Sequence, residues 1–94
     1  MVLKTAAWDP AEHLDGPEAI AAYIAAAMEE GDPAVIAAAL GDVARAKGMT
    51  LVAREAGVTR EALYKALSED GDPRLSTLLG VARALGVRLT ATAV

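Results

Sequence analysis

From residue 17 onward, apolar positions recur with the period of an α-helix. Ile20, Tyr23, Ile24, Ala27 and Met28 stand three and four residues apart, on one face of a helix that opens at Gly16-Pro17 and ends at Gly31. Proline suits the first helical position, because the N–H it lacks has no partner there. Asp32-Pro33 repeats the opening for a second helix, with Asp32 as its cap. Its inward stripe is Ile36, Ala39, Leu40 and Val43, and Gly48 closes it. Two short helices follow. Thr50 is the expected cap of the third, Leu51 to Ala56, which Gly57 breaks. Thr59 is the expected cap of the fourth, which runs from Arg60 to about Ser68. "SEDGDP" reads as a loop, and "RLSTLLGVARAL" as a fifth helix with Leu75, Leu78, Leu79, Ala82 and Leu85 inward and Gly86 as its stop.

The ends of the chain lack this period. Residues 1–15 show no sustained repeat and read as an extended arm. The tail "VRLTATAV" alternates large apolar residues with polar or small ones and is rich in β-branched types, so it is expected to form a short strand. A lone strand leaves its ladder unpaired and needs a partner, such as its own copy in a dimer. The pattern thus predicts an all-α domain over residues 16–87, with an arm at 1–15 and a tail at 88–94.

Composition changes this picture in one respect. Alanine supplies 23 of 94 residues and Phe is absent, so the helices must pack closely with few large side chains between them. A chain of this length buries only about 60% of its unfolded surface, which makes dimerisation an expected source of further stability. With no cysteine there is neither a disulfide framework nor a thiolate metal site. The longest apolar run near the start, "AIAAYIAAAM", is ten residues, too short to span a bilayer. An intracellular location fits the lack of cysteine, and the first residues lack the apolar core of a secretory signal.

Charge divides the chain. Residues 1–40 carry Lys4 against seven carboxylates, a net of -6, and residues 41–94 carry eight cations against six carboxylates, a net of +2. The acidic half suits a basic protein partner and repels phosphate. The other half contains the stretch "VAREAGVTREALYKALSEDG". Two short helices joined by a tight glycine turn, the second capped by threonine, have the form of a helix-turn-helix. Ala53 is small enough for a close crossing, Gly57 permits the positive φ of the turn, and Val58 and Leu63 anchor the pair. Projected at 100° per residue, Arg60, Glu61, Tyr64, Lys65 and Ser68 share an arc of roughly 140° away from Leu63, Ala66 and Leu67.

That outward set has the chemistry of major-groove recognition. Arg60 can bond guanine O6 and N7 in a bidentate manner, Lys65 can reach a base edge or phosphate, and Tyr64 a thymine methyl or phosphate. Ser68 is a small donor, and Glu61 can accept from cytosine N4. Thr50 and Thr59, at the two helix starts, are candidate phosphate contacts. The plain alternative is a solvated face of an ordinary acidic bundle. Net acidity does not argue against DNA, because a basic patch is a local property of the field.

The combination "GDVARAKGM", "REAGVTREALYKALS" and "GDPRLSTLL", together with "WDPAEHLDGPEAIAAYIAAAMEEGDP", resembles the Xre-type addiction-module antidote proteins, the HigA-like antitoxins. The likeness covers nearly the whole chain. It implies a five-helix, lambda-repressor-like helix-turn-helix bundle acting as an antitoxin in the cytoplasm. Such a protein neutralises a small RelE/ParE-like toxin by direct binding and represses its own operon by binding a palindromic operator as a homodimer. Alternatives are a stand-alone repressor of the phage kind with no toxin, and an adaptor that uses the same bundle for protein contacts.

The remaining candidates carry less. His13 is the single histidine and has no soft ligand nearby, so a surface position is expected rather than a metal site. One histidine leaves no Ser/His/Asp constellation, and no Gly-rich phosphate loop occurs, so neither an enzyme nor a cofactor is expected. Trp8, the only tryptophan, has two readings. It tucks onto its own domain, or it anchors a partner, since tryptophan is enriched in interface hot spots. On the second reading Trp8, Leu14 and Tyr23 supply the apolar part of the toxin contact.

Overall fold

Five α-helices occupy residues 16–94, the part of the chain that the computed structural model describes. They are α1 (Pro17–Glu30), α2 (Pro33–Lys47), α3 (Met49–Ala56), α4 (Arg60–Ala66) and α5 (Leu75–Leu85). The described residues contain no strand, so the class is all-α. The local punctuation acts as the pattern predicts at α2: the Asp32 carboxylate accepts the Ala34 N–H at 3.0 Å. Gly48 then takes φ 117°, a region closed to side chains, and this lets α2 pass directly into α3.

The core is a single cluster. Leu40 and Val43 from α2, Val52 from α3, Leu63 from α4 and Val81 and Leu85 from α5 are its largest fully buried side chains. Ile20 and Ile24 bring α1 onto it. Small residues set the spacing between helices. A Cβ on Gly80 would stand 2.9 Å from the Ala56 Cα, so α5 crosses the end of α3 almost backbone to backbone. No described side-chain polar atom is buried without a partner.

Four details differ from the sequence pattern. Helix α3 starts at Met49, two residues early, because Met49 is 5% exposed and its burial draws the helix start upstream. Thr50 therefore lies inside the first turn, and the residue at the cap position, Gly48, makes no side-chain cap bond. Helix α4 ends at Ala66, with Leu67 as its cap, rather than near Ser68. Helix α5 is rotated: Leu75 and Leu79 are 67% and 46% exposed, while Val81 and Ala84 are buried. The Gly80 crossing over Ala56 dictates that rotation. The tail forms no strand in the single chain.

Candidate nucleic-acid interface and acidic groove

Helix α4 is seven residues long, too short to persist alone in water. Three things hold it. Leu63 and Leu67 sit at 0% and 3% exposure in the core. The Val58 N–H donates to the Ala53 carbonyl at 3.0 Å, closing the turn from α3, with Gly57 at φ 77°. Thr59 caps the helix, its Oγ1 accepting the Ala62 N–H at 3.0 Å. Glycines let the neighbours approach. A Cβ on Gly41 of α2 would stand 2.8 Å from the Leu67 carbonyl oxygen, and one on Gly71 would overlap the Ala66 backbone.

This scaffold leaves Arg60, Glu61, Tyr64 and Lys65 exposed on α4, Thr59 and Ser68 exposed at its two ends, and Thr50 exposed on α3. Arg60 is not free-swinging. Its guanidinium lies 5.3 Å from the Tyr64 ring centroid, one helical turn on. Such a pair at an exposed site contributes about 0.5–1 kcal/mol and keeps the cation extended over the helix. The accompanying bond from Arg60 Nη2 to the Tyr64 oxygen, at 3.5 Å, is too long to add much. The two hydroxyls differ in what they leave available. Thr59 Oγ1 already accepts, so its proton remains to donate. Ser68 Oγ donates to the Lys65 carbonyl at 2.9 Å, so it offers lone pairs outward rather than the donor expected of it. Arg54, exposed on α3, is a further cation of this helix pair that the projection of α4 alone misses.

The first two helices carry a different surface. The Tyr23 hydroxyl donates to Asp42 Oδ2 at 2.7 Å across the α1–α2 seam. Arg45 holds the other oxygen of the same carboxylate at 2.6 Å. Burial, and then the bond to the Asp42 carboxylate, push the Tyr23 phenol up to about 12. Beside this network lies an open groove of about 390 Å³, lined by small residues including Ala26, Ala34 and Ala38 and by Glu30, Asp42 and Glu69. Tyr23 is thus at the acidic surface, but its hydroxyl is already bonded within the chain. Glu69 reaches this groove from the loop after α4, a convergence that no local pattern signals. Trp8 and Leu14 lie outside the described residues. Among those residues no cluster of His, Cys, Asp or Glu is arranged to hold a metal, and no helix is long and apolar enough to cross a membrane.

Comparison with known proteins places the chain. A protein of Haemophilus influenzae, described as an uncharacterized protein, is 44% identical over 81 residues, spanning 86% of this chain and 84% of its own. No solved structure matches. The family model described as "Probable addiction module antidote protein" matches residues 4–93, taking in all five helices and most of the tail. On that extent of match, the chain belongs to the family of addiction-module antidote proteins.

Proposed function

We propose that this protein is the antitoxin of a toxin–antitoxin pair, acting in the cytoplasm, and that it is also a DNA-binding repressor of its own operon. Family membership carries the first half of the reading. The outward face of α4 supports the second: Arg60, Tyr64 and Lys65 are exposed on a short helix whose Leu63 is locked into the core, with Ser68 exposed just past its end. Helices α3 and α4 then act as a helix-turn-helix of the Xre kind, with Thr50 and Thr59 on phosphates and Glu61 accepting from cytosine N4. A palindromic operator asks for two copies. The exposed Leu75 and Leu79 of α5, with the tail at 88–94, are the surface proposed to join them, the tail pairing as a strand only there. Two-fold symmetry sets the two recognition helices about 34 Å apart, one turn of DNA.

The toxin, a small basic protein of the RelE/ParE type, is proposed to meet the acidic amino-terminal half through Trp8, Leu14 and Tyr23. The carboxylates of the α1–α2 groove raise the rate of encounter and choose the partner, and apolar burial supplies more of the affinity. The test is co-expression with the product of the adjacent reading frame, followed by capture. The full chain is expected to retain that product. Removing residues 1–15 is expected to weaken the pair more than tenfold, about 1.4 kcal/mol, with operator binding unchanged. Operator binding by a chain that retains no toxin would instead support a stand-alone repressor.

A further inference from the structure

Tyr64 is the one aromatic side chain of α4, and the core closes without it. Leu63 and Leu67 supply this segment's share of the buried cluster, while Tyr64 is 41% exposed. Its ring faces a cation instead, the guanidinium of Arg60, four residues earlier on the same helix face. Among the described residues it is the one ring with a cation over it. No carboxylate draws Arg60 aside, since the one ion pair among those residues joins Arg45 to Asp42.

The stack also sets where the nitrogens of Arg60 end up. Its Nη2 stands 3.5 Å from the Tyr64 oxygen, the atom at the far end of that side chain. The guanidinium is thus carried out to the tip of the ring rather than folded back on α4. An arginine reads guanine with a planar fork, so the plane must be fixed when the base is met. A free arginine loses much rotamer freedom in that step, and the loss opposes binding. A ring that already holds the guanidinium removes part of this cost before DNA arrives, and the pair strengthens as the groove excludes water. A cation used only as a point charge on phosphate gains little from a fixed plane.

We propose that Tyr64 is a positioning residue for base recognition. It acts through Arg60, holding the guanidinium as a pre-set fork, and so determines how strictly one base position is read. This rests on the reading of α4 as the recognition helix and divides the work within it: Arg60 touches the base, and Tyr64 supplies the order. A thymine methyl or a phosphate touched by Tyr64 itself would be a different role, because that contact would not need Arg60.

The test is a double-mutant cycle on the full chain, read by fluorescence anisotropy. The probes are a labelled duplex from the DNA upstream of the chain's own reading frame and an unrelated duplex of equal length. Tyr64→Ala is expected to lower the preference for the upstream duplex by about three- to tenfold, the ordering cost of one long side chain. Tyr64→Phe restores the ring and is expected to recover that preference. In an Arg60→Ala background, Tyr64→Ala is expected to cost nothing further, because the two act as one unit. Thermal midpoints of the variants check that the fold is kept. A wild type without preference for the upstream duplex, or an Arg60→Ala variant that retains it, would overturn the recognition-helix reading and this inference with it. With both of those results as expected, three outcomes overturn the inference alone: full preference in Tyr64→Ala, the same loss from Tyr64→Ala with and without Arg60, or a loss equal on both duplexes.

Discussion

Helices α1 and α2 run 14 and 15 residues, whereas α3 and α4 run 8 and 7. The long pair is rich in alanine and shows solvent Glu18, Glu29, Glu30 and Asp32 against the cations Arg45 and Lys47. The short pair shows solvent Arg54, Arg60 and Lys65 against the carboxylates Glu55 and Glu61. Length and surface are related through what holds each pair. Fourteen or fifteen residues spread the attachment over several inward side chains, Ile20, Ile24 and Ala27 in α1 and Ala37, Leu40, Val43 and Ala44 in α2. Seven residues do not, so α4 depends on Leu63, Leu67 and the capped turn. The lesson is that a helix whose outer face is given over to polar contacts must concentrate its attachment in a few inward positions. Damage should then behave differently in the two pairs.

The largest effect is expected for Leu63→Ala. This side chain is fully buried where α4 meets the core. Truncating a buried leucine costs about 2–5 kcal/mol, so urea unfolding is expected to move to much lower midpoints as one cooperative transition. If α4 instead detached alone, leaving α1 and α2 stable, the two pairs would be energetically separate and the comparison would need revising.

A middle effect is expected on the outer face of α4, and on binding rather than folding. Arg60→Ala is expected to cost about 1–3 kcal/mol in operator affinity and to relax one base position. Lys65→Ala is expected to weaken binding more evenly across sequences and to flatten the salt dependence. Electrophoretic mobility shifts at several salt concentrations would read both. Matched affinities in both variants, with thermal stability retained, would remove α4 from the DNA contact.

The smallest effect is expected in the long pair. Tyr23→Phe removes the bond to Asp42 and is expected to cost about 1 kcal/mol near neutral pH. Its clearer mark is in alkali. The folded phenol titrates at about 12 against an ordinary 10.0, so the contribution is complete below pH 10 and lost as pH rises towards 12. In that window the unfolded chain gives up a proton that the folded chain keeps. Stability of the wild type is therefore expected to fall more steeply there than that of Tyr23→Phe, followed by chemical unfolding at fixed pH.

How much of this was legible beforehand follows from what each feature depends on. The starts of α1 and α2, the break at Gly57 and the stop at Gly86 are local, because proline and glycine restrict or free the backbone wherever they stand. The exposed arc of α4 was also legible, since its few large apolar residues admit only one inward side. Three things were decided by tertiary structure alone. The rotation of α5 was one: its leucines at 75, 78, 79 and 85 satisfy a helical stripe, but Gly80 must pass Ala56, and that turns Leu75 and Leu79 outward. The start of α3 was another, set by the burial of Met49 over the capping preference of Thr50. The last was the meeting of Tyr23, Asp42, Arg45 and Glu69 on one surface, because groups far apart along the chain converge only when packing brings their helices together.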